Sequence, residues 1–197
     1  MGLLRRVILS SSNTTLKRSL YLSLVRSHLV HCSQIWRPFK IQDSKLLESL
    51  QRKASKFILN DFQTDYKSRL QQLKILPLTL WLEIQDILFF ITLIKFPPDN
   101  FNLKNYVQFS TTISRSAASR KICPVNTRSP RLNITKLYYF NRIVCIWNSL
   151  PYVDLNLSFN SLRKFIYDLY WDYFSSNYDP EVPCSWSRTC LCTRCTS

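Results

Sequence analysis

Glycine is nearly absent from this sequence, because the 197 residues include only Gly2. Average usage of about 7% would give roughly a dozen glycines. Loops that cradle nucleotide phosphates need glycine where the backbone approaches the ligand, so Walker-type and dinucleotide-binding folds are excluded. Tight two-residue hairpins also lose their preferred residue, which argues against barrels and sandwiches. The composition therefore favours helices joined by loops that contain proline and asparagine.

Acidic residues are also scarce, and two long stretches lack them entirely. Residues 1–42 and 111–150 contain no Asp or Glu, and the whole chain has 27 basic against 12 acidic residues, a net charge of +15. The stretch 1–60 carries +9 and 111–150 carries +7, whereas 61–110 is neutral. Two basic blocks around a neutral middle indicate a polyanionic partner, either nucleic acid or an anionic membrane. The alternative is a solvated basic surface without a partner.

Apolar residues are plentiful enough for a core, since 46% of the chain is hydrophobic and 14% is aromatic. In several segments their spacing repeats at the period of an α-helix. We predict helices over 15–35, 44–59, 65–73, 78–95, 136–150 and 161–174. The predicted fold class is therefore mainly α, a bundle of about five to six helices with a long basic arm and a cysteine-rich tail.

The predicted organisation divides the chain into consecutive segments. They are an extended or disordered N-terminus over 1–14, a helical bundle over 15–96, a basic irregular arm over 97–134, a pair of helices over 135–176 and a cysteine-rich tail over 177–197. Within the arm, residues 108–113 and 121–125 are suited to a short β-hairpin. The apolar run 75–96 is long enough to span a membrane, but Glu83 and Asp86 interrupt it, so no transmembrane segment is predicted.

The start of the chain bears on localisation. It has no secretory signal pattern, which predicts an intracellular protein, nuclear or cytoplasmic. The acid-free stretch 1–42 is rich in Ser and Arg and partly mimics a mitochondrial transit peptide, so a mitochondrial location stays open.

Lysine and arginine side chains gather on the second predicted helix and in the arm. Lys45, Arg52 and Lys56 share one face of that helix, and cations arranged in this way position phosphate groups. We predict that RNA or DNA, most simply a duplex, is bound with little sequence specificity and with a steep dependence on salt. The predicted contact residues are Arg37, Lys40, Lys45, Arg52, Lys53, Lys56, Arg115, Arg120, Lys121, Arg128, Arg131 and Arg142.

Side chains suited to catalysis are few. The available carboxylate pairs have helical spacing, and no third ligand accompanies them as a two-metal site would need. We therefore expect these pairs to be ion-pair partners on helix surfaces, as we expect for Glu48 with Arg52. No catalytic residue is predicted. The carboxylate pairs are Asp61/Asp65, Glu83/Asp86 and Asp168/Asp172.

Cysteines cluster in the C-terminal tail, where Cys184, Cys190, Cys192 and Cys195 lie within twelve residues. Four thiolates suit a tetrahedral zinc ion, and the spacing Cys192-x2-Cys195 is usual for such a site. The longer gap between Cys184 and Cys190 is not usual. Free thiols, one structural zinc ion and a disulfide therefore all stay open.

Several strings in the sequence, taken together, have a familiar order. The succession resembles the thumb and C-terminal region of non-LTR (LINE-type) retrotransposon reverse transcriptases, over about residues 15–197. The closing PCSW and CLCTRC strings are similar to the cysteine-containing ends of some of those proteins. The other strings are LYLSLVRSHLVHCSQIWRPF, LLESLQRKASKFIL, YKSRLQQLKILPLTLWLEIQDILFF, YFNRIVCIWNSLP and SFNSLRKFIYDLY.

The resemblance implies a helical thumb that grips a template–primer duplex. The polymerase centre of that family needs an Asp-Asp turn and a further aspartate, and no Asp-Asp occurs in this sequence. We therefore expect that this chain is not an enzyme by itself. The residues that match the family's helices are Arg26, Leu29, Trp36, Pro38, Leu47, Glu48, Gln51, Arg52, Lys53, Tyr66, Arg69, Leu70, Leu73, Asp86, Arg142, Trp147, Asn148, Ser149, Leu150 and Pro151.

Two other interpretations of the whole chain stay open. One is a non-functional remnant of such an element, or a truncated gene product. The other is a mitochondrially targeted or membrane-surface helical protein, for which the acid-free stretch 1–42 is the motivating feature.

Overall fold

The fold was obtained as a computed structural model, which describes residues 13–38, 40–109, 122–124, 138–151, 153–176 and 178–179. Over these residues the protein is mainly α-helical, as the composition and periodicity predict. The predicted cysteine-rich tail and most of the predicted basic arm lie outside the described residues.

The first helical segment is broken where the sequence predicts one continuous helix over 15–35. It comprises α1 (Thr14–Leu20), a π-helical turn (Tyr21–Arg26), α2 (Ser27–Val30) and α3 (Ser33–Trp36). Helix α2 ends where His31 leaves the helical region with ψ of 126°, and Cys32 then adopts a left-handed conformation with φ of 53°. This backbone change turns the chain before α3.

Three helices form the centre of the chain: α4 (Ile41–Leu59), α5 (Tyr66–Leu73) and α6 (Leu78–Lys95). The starts of α4 and α5 differ from the predicted ones in detail. Helix α4 begins three residues earlier than predicted and has Asp43 in its first turn. Helix α5 is capped by Asp65, whose side chain accepts a hydrogen bond from the Ser68 amide at 3.1 Å.

Helix α6 has the predicted bounds and lies in the middle of the helices. Pro77 precedes its first turn, where a missing N–H costs nothing, and Pro97 and Pro98 follow its end. Its residues are buried almost all round, and it contacts α3 and α4 as well as the two helices that follow it. A helix that is apolar on nearly every side needs such neighbours.

The remaining elements complete the same core. A 3₁₀ turn (Leu103–Asn105) precedes strand β1 (Val107–Phe109), which pairs antiparallel with β2 (Ile122–Pro124). This pairing lies within the region suited to a hairpin, although the strands are shorter. Helices α7 (Tyr139–Ser149) and α8 (Phe159–Ser176) then pack on α6. The rings of Phe90 and Trp147 meet edge to face, with centroids 5.1 Å apart.

The length and composition of the helices bear on membrane insertion. No single helix in the described part of the chain combines the length and the apolar character that crossing a membrane requires. Helices α5 and α6 meet those two criteria only as a pair, and they are bent by 48° relative to each other.

Candidate nucleic-acid interface

Two of the predicted contact residues, Arg37 and Arg142, lie inside the protein rather than on a basic surface. Arg37 follows α3 and its side chain is 8% exposed, whereas Arg142 lies on α7 and is 6% exposed. Both contact Asp86 on α6, which is fully buried. We define the buried charge centre as Arg37, Glu83, Asp86 and Arg142.

The charged groups of the buried charge centre are joined by ion pairs and hydrogen bonds. Arg37 donates from Nη1 to Asp86 Oδ2 at 2.7 Å and from Nη2 to Glu83 Oε1 at 3.1 Å. Arg142 grips Asp86 with two bonds, from Nε to Oδ2 at 2.9 Å and from Nη2 to Oδ1 at 3.2 Å. The Tyr170 hydroxyl donates to Glu83 Oε2 at 3.0 Å. Two positive and two negative charges therefore balance each other.

Titration behaviour follows from this geometry. Burial alone lowers the pKa of Arg37, but the charges of Asp86 and Glu83 outweigh it, so the pKa of Arg37 is raised. Burial first, and then the charge of Glu83, raises the pKa of Tyr170 well above its usual value. Arg37 therefore keeps its charge and Tyr170 keeps its hydroxyl proton across the physiological range.

Glu83 and Asp86 form ion pairs, as expected, but the expectation that they lie on a helix surface is wrong. Both are completely buried, because α6 is surrounded by other helices. Their partners come from distant parts of the sequence rather than from the same helix. Arg37 and Arg142 are thereby used inside the fold, and we leave both out of the candidate interface.

Glu48 is also placed differently from the expected surface pair with Arg52. Its carboxylate is buried at the start of α6, where it accepts hydrogen bonds from the Leu78 amide at 3.0 Å and the Thr79 amide at 3.4 Å. The Tyr66 hydroxyl donates to it as well. Burial is the main reason that the pKa of Glu48 is raised, although these bonds oppose the shift.

A basic cleft of about 450 Å³ lies between the C-terminal half of α4 and the start of α5. Arg52, Lys53 and Lys56 line it from α4, and this spacing puts their side chains on one side of the helix. Lys53 is exposed, and Arg52 and Lys56 are partly so. We call these three residues with Phe62 the basic cleft.

The basic cleft is built on a layer of ordered side chains. The guanidinium of Arg52 lies over the ring of Tyr66, 4.7 Å from its centroid. Beneath it, Arg69 is buried and donates from Nε to Ser55 Oγ at 3.2 Å and to the Thr64 carbonyl. The ring of Tyr66 therefore helps to hold Arg52 in a defined position.

Acidic groups near the basic cleft are already engaged by the backbone. Asp65 caps α5, and its bonds with Ser68 lower its pKa. Asp61 accepts bonds from Thr64 and Gln63, which lower its pKa in the same way. These carboxylates organise the turn 60–65 and form none of the described ion pairs with the cleft lysines.

The other predicted contact residues divide into two groups. Lys40 precedes α4 and Lys45 lies in its first half; both are exposed, and neither lines the basic cleft. The rest lie outside the described residues, as do the four tail cysteines. Those residues are Arg115, Arg120, Lys121, Arg128, Arg131, Cys184, Cys190, Cys192 and Cys195. In the described part of the chain, no cluster of three His, Cys, Asp or Glu side chains is suited to a metal ion.

Sequence reasoning missed Phe62, which is 66% exposed at the edge of the basic cleft. A signal was available, because an aromatic residue stands in a short polar connection directly after Asn60. Asn60 ends α4 in a left-handed conformation, which asparagine tolerates better than most residues.

Comparison with known proteins gives no relative from which a role can be transferred. No protein-family model, no curated protein and no solved structure matches this chain.

Proposed function

We propose that this protein is a helical nucleic-acid-binding module that contacts the phosphates of an RNA or DNA duplex through its basic cleft. It resembles the thumb of a non-LTR reverse transcriptase without the polymerase centre of that family. The observation that carries the proposal is that Lys53 and Lys56 line one cleft beside Arg52 and that neither lysine forms an ion pair among the described residues.

Lysines that extend from one helix without an ion pair, as Lys53 and Lys56 do among the described residues, suit the recognition of a phosphate backbone. A duplex carries about one negative charge per 1.7 Å of its axis, so several phosphates lie within reach of one helix. Along α4, the distance from Lys45 to Lys56 is about 16 Å at 1.5 Å per residue. The cations of α4 therefore extend over a length that meets more than one phosphate.

The surroundings of the basic cleft favour nonspecific contact. Lysine and arginine bind phosphates of any sequence, and only contacts with base edges read sequence. Phe62 adds an exposed ring beside the cations, which suits contact with a sugar or with an unpaired base. We therefore expect duplexes of different sequence to bind with similar affinity.

Salt dependence tests this proposal directly. We would measure the affinity of the full chain for a labelled RNA–DNA duplex by fluorescence anisotropy between about 50 and 200 mM salt. The logarithm of the affinity should fall linearly with the logarithm of salt concentration. In the double variant Lys53→Gln/Lys56→Gln the slope should become shallower by about 1.8, since each lost phosphate contact removes about 0.9.

A matched control removes the same charge elsewhere. Lys104 and Lys164 are exposed lysines that do not line the basic cleft. The variant Lys104→Gln/Lys164→Gln should keep the slope of the unaltered protein. An affinity that does not change with salt, or equal effects of the two double variants, would contradict the proposal.

A further inference from the structure

A second cavity, of about 580 Å³, shares no lining residue with the basic cleft. Cations from three parts of the fold line it: Arg18 and Arg26 from the first helical segment, Lys74 after α5, and Arg163 on α8. None of the described lining residues is acidic. Its volume lies in the range of small-molecule sites.

Arg26 is a buried cation whose hydrogen bonding is incomplete. It is 6% exposed, donates from Nη2 to the Leu76 carbonyl at 3.0 Å, and lies 4.8 Å from the ring centroid of Trp81. Its Nε is buried and has no acceptor among the described residues. A buried donor without an acceptor is unfavourable, and a buried charge without a contacting counter-ion adds to that cost.

Comparison with Arg37 shows what Arg26 lacks among the described residues, which is a carboxylate in contact with its guanidinium. Both guanidiniums are buried, but contacts with Asp86 and Glu83 raise the pKa of Arg37. Burial instead lowers the pKa of Arg26, and the charge of Glu48 offsets only part of that shift. An anion in the cavity would supply the negative charge that the protein does not bring into contact with Arg26.

Two of the other cations that line the cavity, Arg18 and Lys74, lie at the C-terminal end of α5. Arg18 donates from Nε to the Leu73 carbonyl at 2.7 Å, at the C-terminal end of α5. Lys74 ends that helix in a left-handed conformation with φ of 52°. Neither position depends on a carboxylate among the described residues, so their positive charges are available to a ligand.

We propose that this cavity binds a nucleoside phosphate, with the phosphate beside Arg26 and against Arg18, Lys74 and Arg163, and with the base beside Trp81. The cavity volume is many times the roughly 30 Å³ that one water molecule takes, so a bare phosphate, an ion of a few atoms, would leave most of it empty. Trp81 and Tyr167 provide aromatic walls, and Gln85 provides an amide that can donate to and accept from a base.

The same ligand chemistry has two sources, a free nucleotide and the 5′-phosphorylated end of a nucleic-acid strand. We would titrate the full chain by calorimetry with adenosine 5′-monophosphate, with adenosine, with inorganic phosphate, and with one short oligonucleotide with and without a 5′-phosphate. Adenosine 5′-monophosphate should bind at least about tenfold more tightly than adenosine or phosphate alone. A gain from the 5′-phosphate on the oligonucleotide would assign the strand end as a ligand; no gain would assign the free nucleotide.

The variant Arg163→Glu tests the site without disturbing the core, because Arg163 is exposed. Loss of a charge-assisted contact should weaken binding of adenosine 5′-monophosphate by about tenfold or more. Lys104→Glu changes the net charge equally and should leave binding unchanged. Thermal melting of both variants checks that they fold.

Two results would overturn this proposal. One is no detectable binding of adenosine 5′-monophosphate or of the phosphorylated end at millimolar concentration. The other is an equal loss in the Arg163→Glu and Lys104→Glu variants. The basic cleft is tested separately, because Lys53→Gln/Lys56→Gln should leave nucleotide binding intact while it alters duplex binding.

Discussion

The buried charge centre and the basic cleft use the same kinds of side chain in opposite ways. In the buried charge centre, Arg37 and Arg142 contact carboxylates that are completely removed from water. In the basic cleft, Lys53 and Lys56 extend from α4 and make none of the described ion pairs. The charges of the buried charge centre pair with each other inside the fold, whereas those of the basic cleft face outward.

This difference teaches that net charge does not locate a binding surface. The sequence carries +15, yet part of its arginine is matched by buried carboxylates and contributes no potential at the surface. A cation becomes available to a polyanion only where it is exposed and is not held in an ion pair. Removing a charge should therefore lower the stability of the fold strongly in the buried charge centre and only slightly in the basic cleft.

The largest effect is expected from Asp86→Ala in the buried charge centre. It leaves the guanidiniums of Arg37 and Arg142 buried without the carboxylate that both contact. Removing one partner of a buried ion pair costs about 3–5 kcal/mol, so the free energy of unfolding should fall by that amount. Urea denaturation followed by circular dichroism measures it.

Two further variants make the Asp86 prediction specific. Asp86→Asn keeps an acceptor of the same size and should lose less stability than Asp86→Ala. Asp168→Ala removes an exposed carboxylate from α8 and should change the free energy of unfolding by about 0.5 kcal/mol or less. Equal losses for Asp86→Ala and Asp168→Ala would contradict the central role of Asp86.

Local signals explain why most of the fold is predictable from the sequence. Helix α6 is mostly apolar along its length and has prolines just before and just after it. Residues next to the helix are therefore sufficient to predict where it begins and ends. The break after α2 is not predictable in this way, because the left-handed residue there is Cys32 rather than glycine. Periodicity also cannot tell that α4 buries Glu48 and Gln51 on its inner face.

The charged sites are less predictable because their partners are remote. Arg37 is 46 residues from Glu83, and Arg142 is 56 residues from Asp86. Spacing within one helix looks the same for a surface pair and for a buried one. In contrast, Arg52, Lys53 and Lys56 are neighbours on a single helix, so local spacing is sufficient to bring them together.

A smaller effect that depends on pH is expected at Glu48. Burial raises its pKa in the folded protein above the ordinary value of 4.5, so the folded state favours the protonated form. The contribution of Glu48 to stability is therefore greatest below pH 4.5 and declines as pH rises through the raised pKa. Glu48→Gln removes this titration and keeps an acceptor for the Leu78 amide.

The measurement is the free energy of unfolding of both proteins over a pH series. The value for the unaltered protein minus that for Glu48→Gln should fall as pH rises through the raised pKa of Glu48. Asp65→Asn is the matched comparison, because bonds with Ser68 lower the pKa of Asp65 and the corresponding difference should rise with pH. Parallel curves for the two variants would rule out the assigned role of Glu48 burial.

The smallest effect on stability is expected in the basic cleft itself. Lys53 and Lys56 make no described ion pair, so Lys53→Gln/Lys56→Gln leaves no buried charge behind and should change the free energy of unfolding by about 0.5 kcal/mol or less. The same variant should lose duplex affinity. Urea denaturation and anisotropy on one protein sample compare the two quantities. A destabilisation as large as that of Asp86→Ala would mean that these lysines belong to the fold, and the distinction between the two regions would fail.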